Sequence, residues 1–169
     1  MITIRVEKPE DVGKIRLVNE QAFESPAEAD IVDALRRRGA IILSIVAEVD
    51  GDIVGHILFT PVTIETAESK FYALAIGPMA VAPDYQNKGI GSELVRKGLE
   101  ECLNRGYDVV IVLGHPEFYP RLGFKPASPY GIKCEFEVPD EVFMVAQLKE
   151  GALSGISGTV EYQPEFSEV

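Results

Sequence analysis

Met79-Ala-Val-Ala-Pro-Asp-Tyr-Gln-Asn-Lys-Gly-Ile-Gly-Ser92 is the stretch on which the fold turns. The apolar run that leads into it, residues 72–81, reads as a strand, and Ile90 onward reads as an amphipathic helix. Between them, Gln86-Asn-Lys-Gly-Ile-Gly sets Gly89 and Gly91 where the helix begins. Glycine tolerates positive φ and lets a ligand come close to the backbone. The first turn of a helix offers unsatisfied N–H groups and the positive end of the macrodipole. Strand, glycine-bearing loop and helix N-terminus together make an anion site, most naturally for a pyrophosphate.

Two common nucleotide motifs do not fit. The dinucleotide fingerprint needs a third glycine where this chain has Leu94, and no Gly-Lys-Ser/Thr run follows four spacer residues after a glycine.

Composition sets the outer bounds. With 169 residues, 46% hydrophobic and 25% charged, the chain fits one globular domain. A domain of this size buries roughly 68–70% of its unfolded surface, enough for a core without disulfides or metal. The opening Met-Ile-Thr-Ile-Arg has no apolar core of a signal peptide, and no apolar run reaches membrane-spanning length. The two cysteines, Cys102 and Cys134, make neither a disulfide framework nor a metal-ligand cluster, and Cys102 falls on the apolar face of a helix. The expectation is a reduced, cytoplasmic protein without a metal. A formal charge of −11 argues against nucleic acid or an anionic membrane as partner. It suits a cationic acceptor such as an amine, and equally a merely soluble surface.

Ile2–Val6 alternates as a short strand. Pro9 stands at the first position of a helix that carries Val12, Ile15, Val18 and Ala22 to about Phe23. Ser25-Pro-Ala-Glu28 reads as a capping box opening a second helix to Arg38, with Gly39 as its stop. Residues 41–49 and 53–63 flank Asp50-Gly51 as a β-hairpin. Gly77-Pro78 interrupts the 72–81 strand and marks a bulge. The helix from Ile90 ends near Asn104-Arg105-Gly106. Val109–Leu113 reads as a buried strand, 117–122 as a short helix or turn closed by Gly123, and further strands begin at Phe124 and Phe143. This order is α/β with a mixed sheet. Residues 1–150 form the domain, and 151–169, richer in Gly, Ser and Glu, are expected as a tail docked on it.

Gln86, Gly89 and Gly91, with Val81-x-Pro-x-Tyr85 before them, resemble motif A of the GNAT family of N-acetyltransferases. Tyr119, Gly123 and Phe124 resemble the family's later Tyr-x-x-x-Gly-Phe motif. The run Gly114-His-Pro-Glu-Phe-Tyr119 is similar to one bacterial and archaeal subgroup of predicted N-acetyltransferases, and the likeness extends from the Pro9 helix to Leu148. It implies a mostly antiparallel mixed sheet with flanking helices, in which the bulged strand splays from its neighbour to admit the pantetheine arm of acetyl-CoA. By the resemblance, Met79, Ala80 and Val81 offer backbone bonds to that arm, and the Met79 N–H polarises the acetyl carbonyl. Gln86, Asn87, Lys88, Gly89, Ile90, Gly91 and Ser92 cradle the pyrophosphate. Tyr119 is the general acid that protonates the leaving thiolate.

Two departures from the family pattern concern the base. The 72–81 strand holds no acidic residue, and His115-Pro116 stands where the family has an Asn. Glu24, Glu28, His56, His115 and Glu117 are the candidates, with His115 taken as the catalytic one, while a water relay or a neutral amine needs none of them. The acceptor pocket is expected from residues 20–28, 60–70 and the segment after Phe124. The partners implied are acetyl-CoA and a primary amine of a small molecule or peptide, by direct transfer, in a monomer or homodimer. The other reading is a non-catalytic acyl-CoA-binding or regulatory module of the same fold.

Overall fold

In the computed structural model, which describes residues 1–168, the chain runs β1 (Ile2–Val6), α1 (Val12–Phe23), α2 (Ala27–Arg38), β2 (Leu43–Val49), β3 (Asp52–Glu65), β4 (Lys70–Val81) and α3 (Ile90–Asn104). It continues through β5 (Val109–Leu113), β6 (Lys125–Pro126), β7 (Ile132–Cys134), β8 (Phe143–Gln147) and β9 (Gly158–Glu161). Hydrogen bonds join the strands in the order β1-β2-β3-β4-β5-β8-β6, with β9 on β3 and β7 on β9. The pairs β4–β5 and β7–β9 are parallel, while β1–β2, β2–β3, β5–β8, β6–β8 and β3–β9 are antiparallel. The mixed sheet expected from the element order is therefore present, and it is mostly antiparallel, as the resemblance implied.

The chain divides into two compact units, one of Met1–Thr60, Gly77–Gly98 and Pro164 onward, the other of Pro61–Ile76 and Leu99–Gln163. In the first unit, Asp50 (φ 50°) and Gly51 (φ 85°) both take positive φ, as the tight hairpin turn between β2 and β3 requires. Alternation along β3 then sends neighbouring side chains to opposite helices. Leu58 packs with Ile15 of α1 and with Val32 and Leu35 of α2. Gly55 and Phe59 meet α3: a Cβ on Gly55 would stand 3.0 Å from Leu94, and one on Gly98 only 2.4 Å from Phe59. Helix α3 lies close on the strand because these two positions lack side chains.

Two local expectations change in this unit. Pro9–Asp11 forms a 3-10 turn before α1 rather than its first residues. The capping box at Ser25 does not close, because Pro26 is already helical (φ −80°, ψ −9°) and the Ser25 hydroxyl instead accepts the Ala27 N–H at 3.2 Å. The last turn, Pro164–Glu168, packs against α2, where Phe166 joins the cluster around Leu35 and Glu165 pairs with Arg38 at 2.7 Å.

In the second unit, β5 (Val-Val-Ile-Val-Leu) is buried on both faces, as its continuous apolar run implies. Its register runs from Val109↔Gln147 to Leu113↔Phe143 against β8. Against β4 the parallel ladder covers Leu74↔Val110 and Ala75↔Ile111 and stops before Gly77-Pro78. The strand expected from Phe124 shrinks to Lys125–Pro126, since Pro126 has no N–H to extend it. Strands β7 and β9 have no counterpart in the periodicity. They arise from pairing: β9 lies against β3 at Thr63↔Glu161, and β7 against β9. Among the described residues, no helix is long and apolar enough to cross a membrane.

Candidate active site

In the first unit, β4 ends in Met79, Ala80 and Val81. Ala80 is buried, and its neighbours Met79 and Val81 are half-buried. The backbone leaves β4 with the Ala82 N–H donating to the Val54 carbonyl at 2.8 Å, then turns through a 3-10 segment at Pro83–Tyr85. Gln86 braces this turn. Its side-chain amide donates to the Val81 carbonyl at 2.9 Å, and its own N–H reaches the Pro83 carbonyl at 3.4 Å. This narrows the expected cradle, because Gln86 spends both groups on the loop itself.

From Asn87 to Ser92 the backbone N–H groups find no acceptor among the described residues, and the helical ladder starts only at Glu93, which donates to Gly89 at 3.1 Å. Asn87 (φ 62°) and Gly89 (φ 85°) are left-handed, with Lys88 between them in an ordinary conformation. Alternation of this kind curls successive N–H groups into a concave anion nest. The dipole of α3 begins at the same point. The loop is exposed up to Gly89 and buried at Ile90, so the N–H groups sit at the surface on a fixed base. Lys88 holds its ammonium 5.5 Å from the centre of the Tyr85 ring and adds positive charge to the loop. Unsatisfied N–H groups, a nest and a helix N-terminus fit a pyrophosphate.

A cavity of about 660 Å³ opens beside the turn, walled by Lys14, Leu17 and Gln21 of α1, by Asp52 and Ile53, and by Pro83–Tyr85. Its α1 residues other than Gln21 precede the 20–28 segment expected to border the acceptor.

His56, a candidate base, is fully buried in this unit. Its Nδ1 accepts the Asn19 amide at 3.2 Å, and its Nε2 meets the Ser44 hydroxyl at 2.9 Å. Asn19 also donates to the Ile15 carbonyl at 2.9 Å, which fixes it as the donor and leaves His56 neutral with its proton on Nε2. Burial lowers its pKa to about 4. With no exposure and both nitrogens engaged, His56 is a core group and not a base facing a substrate. Ser44 continues the chain to Glu7, whose carboxylate Arg36 grips at both oxygens. Glu24 ends α1 in a left-handed conformation (φ 53°) and is exposed, and Glu28 is half-buried in the first turn of α2.

The second unit holds Tyr119, His115 and Glu117. Tyr119 opens a 3-10 turn, Tyr119–Leu122, which Gly123 closes at φ 97°. Its ring is buried, edge-on to Phe118 at 4.9 Å and to Phe124 at 5.4 Å between centroids. The burial pushes its pKa up to about 12. Its hydroxyl makes no hydrogen bond to any described residue. His115 and Glu117 are exposed, and the His115 carbonyl receives the Phe118 and Tyr119 N–H groups at 3.1 and 3.3 Å. Phe118 and Phe124 belong to the motifs, but their edge-on hold on Tyr119 and the space beside Gly114 carry no sequence signal. Among the described residues, no three or more His, Cys, Asp or Glu are placed to hold a metal ion.

Comparison with known proteins gives this geometry a family. Residues 3–127 match the model of an acetyltransferase (GNAT) domain. The chain is 36% identical over 165 residues to the uncharacterized N-acetyltransferase YhbS of Escherichia coli K12, covering 97% of this chain and 98% of that protein. It is 37% identical over 142 residues to YjhQ, another uncharacterized N-acetyltransferase of that strain, covering 82% and 78% respectively. The crystal structure of the E. coli YhbS with CoA superposes with a TM-score of 0.93 at 35% identity, over 98% of this chain and 92% of that one. A GNAT acetyltransferase from Brucella melitensis in complex with acetyl-CoA superposes at 0.80 with 36% identity, over 98% of both chains. On the family match and these near full-length relatives, the chain belongs to the GNAT family of acetyltransferases.

Proposed function

We propose that this chain transfers the acetyl group of acetyl-CoA directly to a primary amine of a small molecule or peptide, with Tyr119 as general acid. The chain is an acetyl-CoA-dependent N-acetyltransferase by family, and its relatives from E. coli and B. melitensis bind CoA and acetyl-CoA. The observation that carries the cofactor assignment is the run of unsatisfied N–H groups from Asn87 to Ser92 at the head of α3. Those groups would hold the pyrophosphate, with Gln86 bracing the loop. Met79, Ala80 and Val81 would bind the pantetheine through their backbone, and the Met79 N–H would polarise the acetyl carbonyl.

Acetyl-CoA supplies an acetyl group on a thioester. The amine nitrogen forms the new C–N bond, the C–S bond breaks, and one proton must leave the nitrogen while one must reach the sulfur. Tyr119 suits the second task. A phenol at about 12 stays protonated at neutral pH, so its acid form is always available. Giving that proton fully to a thiolate of pKa ~8.5 is uphill. Tyr119 therefore works first as a hydrogen-bond donor to the charge growing on sulfur. Net transfer completes as the phenolate recovers a proton from solvent. His115, exposed in the turn that precedes Tyr119, is the candidate for the amine's proton. Alignment of amine and thioester supplies much of the remaining rate, on the order of 7–11 kcal/mol in favourable intramolecular cases.

Thiol release measured across a panel of amines, amino acids and peptides tests the reading, together with calorimetric titration of acetyl-CoA. The expected result is binding, and release that depends on at least one amine. Tight binding with no release from any acceptor would make the chain an acyl-CoA-binding module instead.

A further inference from the structure

We infer that Gly114 is a positioning residue for Tyr119, an assignment that rests on the general-acid reading above. Gly114 follows the last residue of β5 and does not take positive φ, so its backbone conformation is open to any residue. Its requirement is one of space. A Cβ there would meet Tyr119 Cε2 at 2.3 Å, Cδ2 at 2.8 Å and Cζ at 3.3 Å. Gly114 thus admits the Cδ2–Cε2 edge of the ring, and Cε2, the nearest atom, adjoins the Cζ that carries the hydroxyl.

Neither side can retreat cheaply. The Gly114 N–H donates to the Val142 carbonyl at 2.9 Å, which anchors the end of β5. The Tyr119 ring is held edge-on by Phe118 and Phe124, and its backbone is tied by the His115 carbonyl on one side and the Phe124 N–H on the other. A side chain at 114 must therefore push the ring, and with it the hydroxyl, by about 1 Å. Displacements of that size cost an enzyme on the order of 100-fold in rate. Gly114 opens the Gly-His-Pro-Glu-Phe-Tyr run, five residues before the ring it admits.

The test compares Gly114→Ala, Tyr119→Phe and the double variant by steady-state thiol release. Gly114→Ala is expected to lower kcat by roughly 10- to 100-fold with KM for acetyl-CoA within about 2-fold, because the pyrophosphate groups are untouched. In the Tyr119→Phe background, which keeps the ring but has no hydroxyl to misplace, it should lower kcat no further. A wild-type kcat in Gly114→Ala, or an equal loss in both backgrounds, overturns the assignment. Tyr119→Phe alone separates the two ideas. Full activity there overturns the general-acid reading and this inference with it, whereas loss there with an intact Gly114→Ala overturns the inference alone. Should Gly114→Ala not fold, Gly114→Ala/Tyr119→Leu, which lacks the ring, is expected to fold by circular dichroism. A double variant that also fails would show that the backbone and not the ring needs glycine, and would overturn the assignment.

Discussion

Tyr119 and His56 are both buried titratable side chains, and burial drives them in opposite directions because their charged forms differ in sign. At Tyr119 desolvation disfavours the phenolate and lifts the pKa to about 12. The acid form is the working form, so activity tied to it is lost only as pH rises through about 12. The pH profile of kcat should accordingly show no falling limb from Tyr119 between pH 7 and 10. A limb near the ordinary phenol value of ~10 would contradict the buried placement. At His56 desolvation disfavours the imidazolium and lowers the pKa from 6.5 to about 4. The unfolded chain then takes up a proton that the folded chain refuses. Stability is fully present above 6.5, falls as pH drops through the window to about 4, and by linkage loses on the order of 3 kcal/mol. Urea melts at pH 7, 5.5 and 4.5 should show this slope, and His56→Gln should flatten it while lowering stability at pH 7. The step between pH 7 and 5.5 is the diagnostic one, because Glu7 and Asp11, whose pKa values are depressed, give up their contribution only as pH falls through the ordinary carboxylate range and on below it. The burial of His56 could not be read from the sequence. A histidine between Gly55 and Ile57 has the same pattern whether it meets solvent or Asn19.

At the scale of elements, the loop from Val81 into α3 was legible because its chemistry is local. Two glycines at a strand-to-helix turn carry their meaning in their own backbone, and the structure leaves the N–H groups after Gln86 unsatisfied. What the motif did not reveal was the division of labour inside it, with Gln86 turned back on Val81 and Asn87 sharing the left-handed role with Gly89. Replacing Gly89 by alanine puts a Cβ on a residue at φ 85°, a strain of roughly 1–2 kcal/mol. The loop is exposed there and free to relax, so binding must restore the nest. Gly89→Ala should weaken acetyl-CoA about 5- to 30-fold by calorimetry with little change in melting temperature. Gly114 was illegible in the same way as His56. Its partner, the Tyr119 ring, reaches it through the turn at 115–119, and one chain position says nothing of which neighbour fills the missing Cβ's space.

For the molecule as a whole, α1 to β5 were readable because periodicity and turn residues agree along that part of the chain. The stretch after Phe124 was not, because β6, β7 and β9 are short and exist through pairing rather than pattern. Beyond them, the Pro164–Glu168 turn contributes Phe166 to the apolar cluster beneath α2. Phe166→Ala should lower stability by about 1–3 kcal/mol in urea, less than for a fully buried ring. Truncation after Gln163 should cost little more, since the Glu165–Arg38 pair it also removes ends in a half-exposed guanidinium that solvent screens. An unchanged urea midpoint in Phe166→Ala would mean that the turn rests on α2 without supporting it. The pairing of Thr63 with Glu161 also sets how late this part of the sheet can close as the chain is made. The far end of β3 emerges from the ribosome early and waits, its edge unpaired, until β9 (Gly158–Glu161) has been translated. So distant a contact closes slowly, and an open edge invites partners meanwhile. Until β9 arrives, the nascent chain presents a strand edge that the folded enzyme has closed.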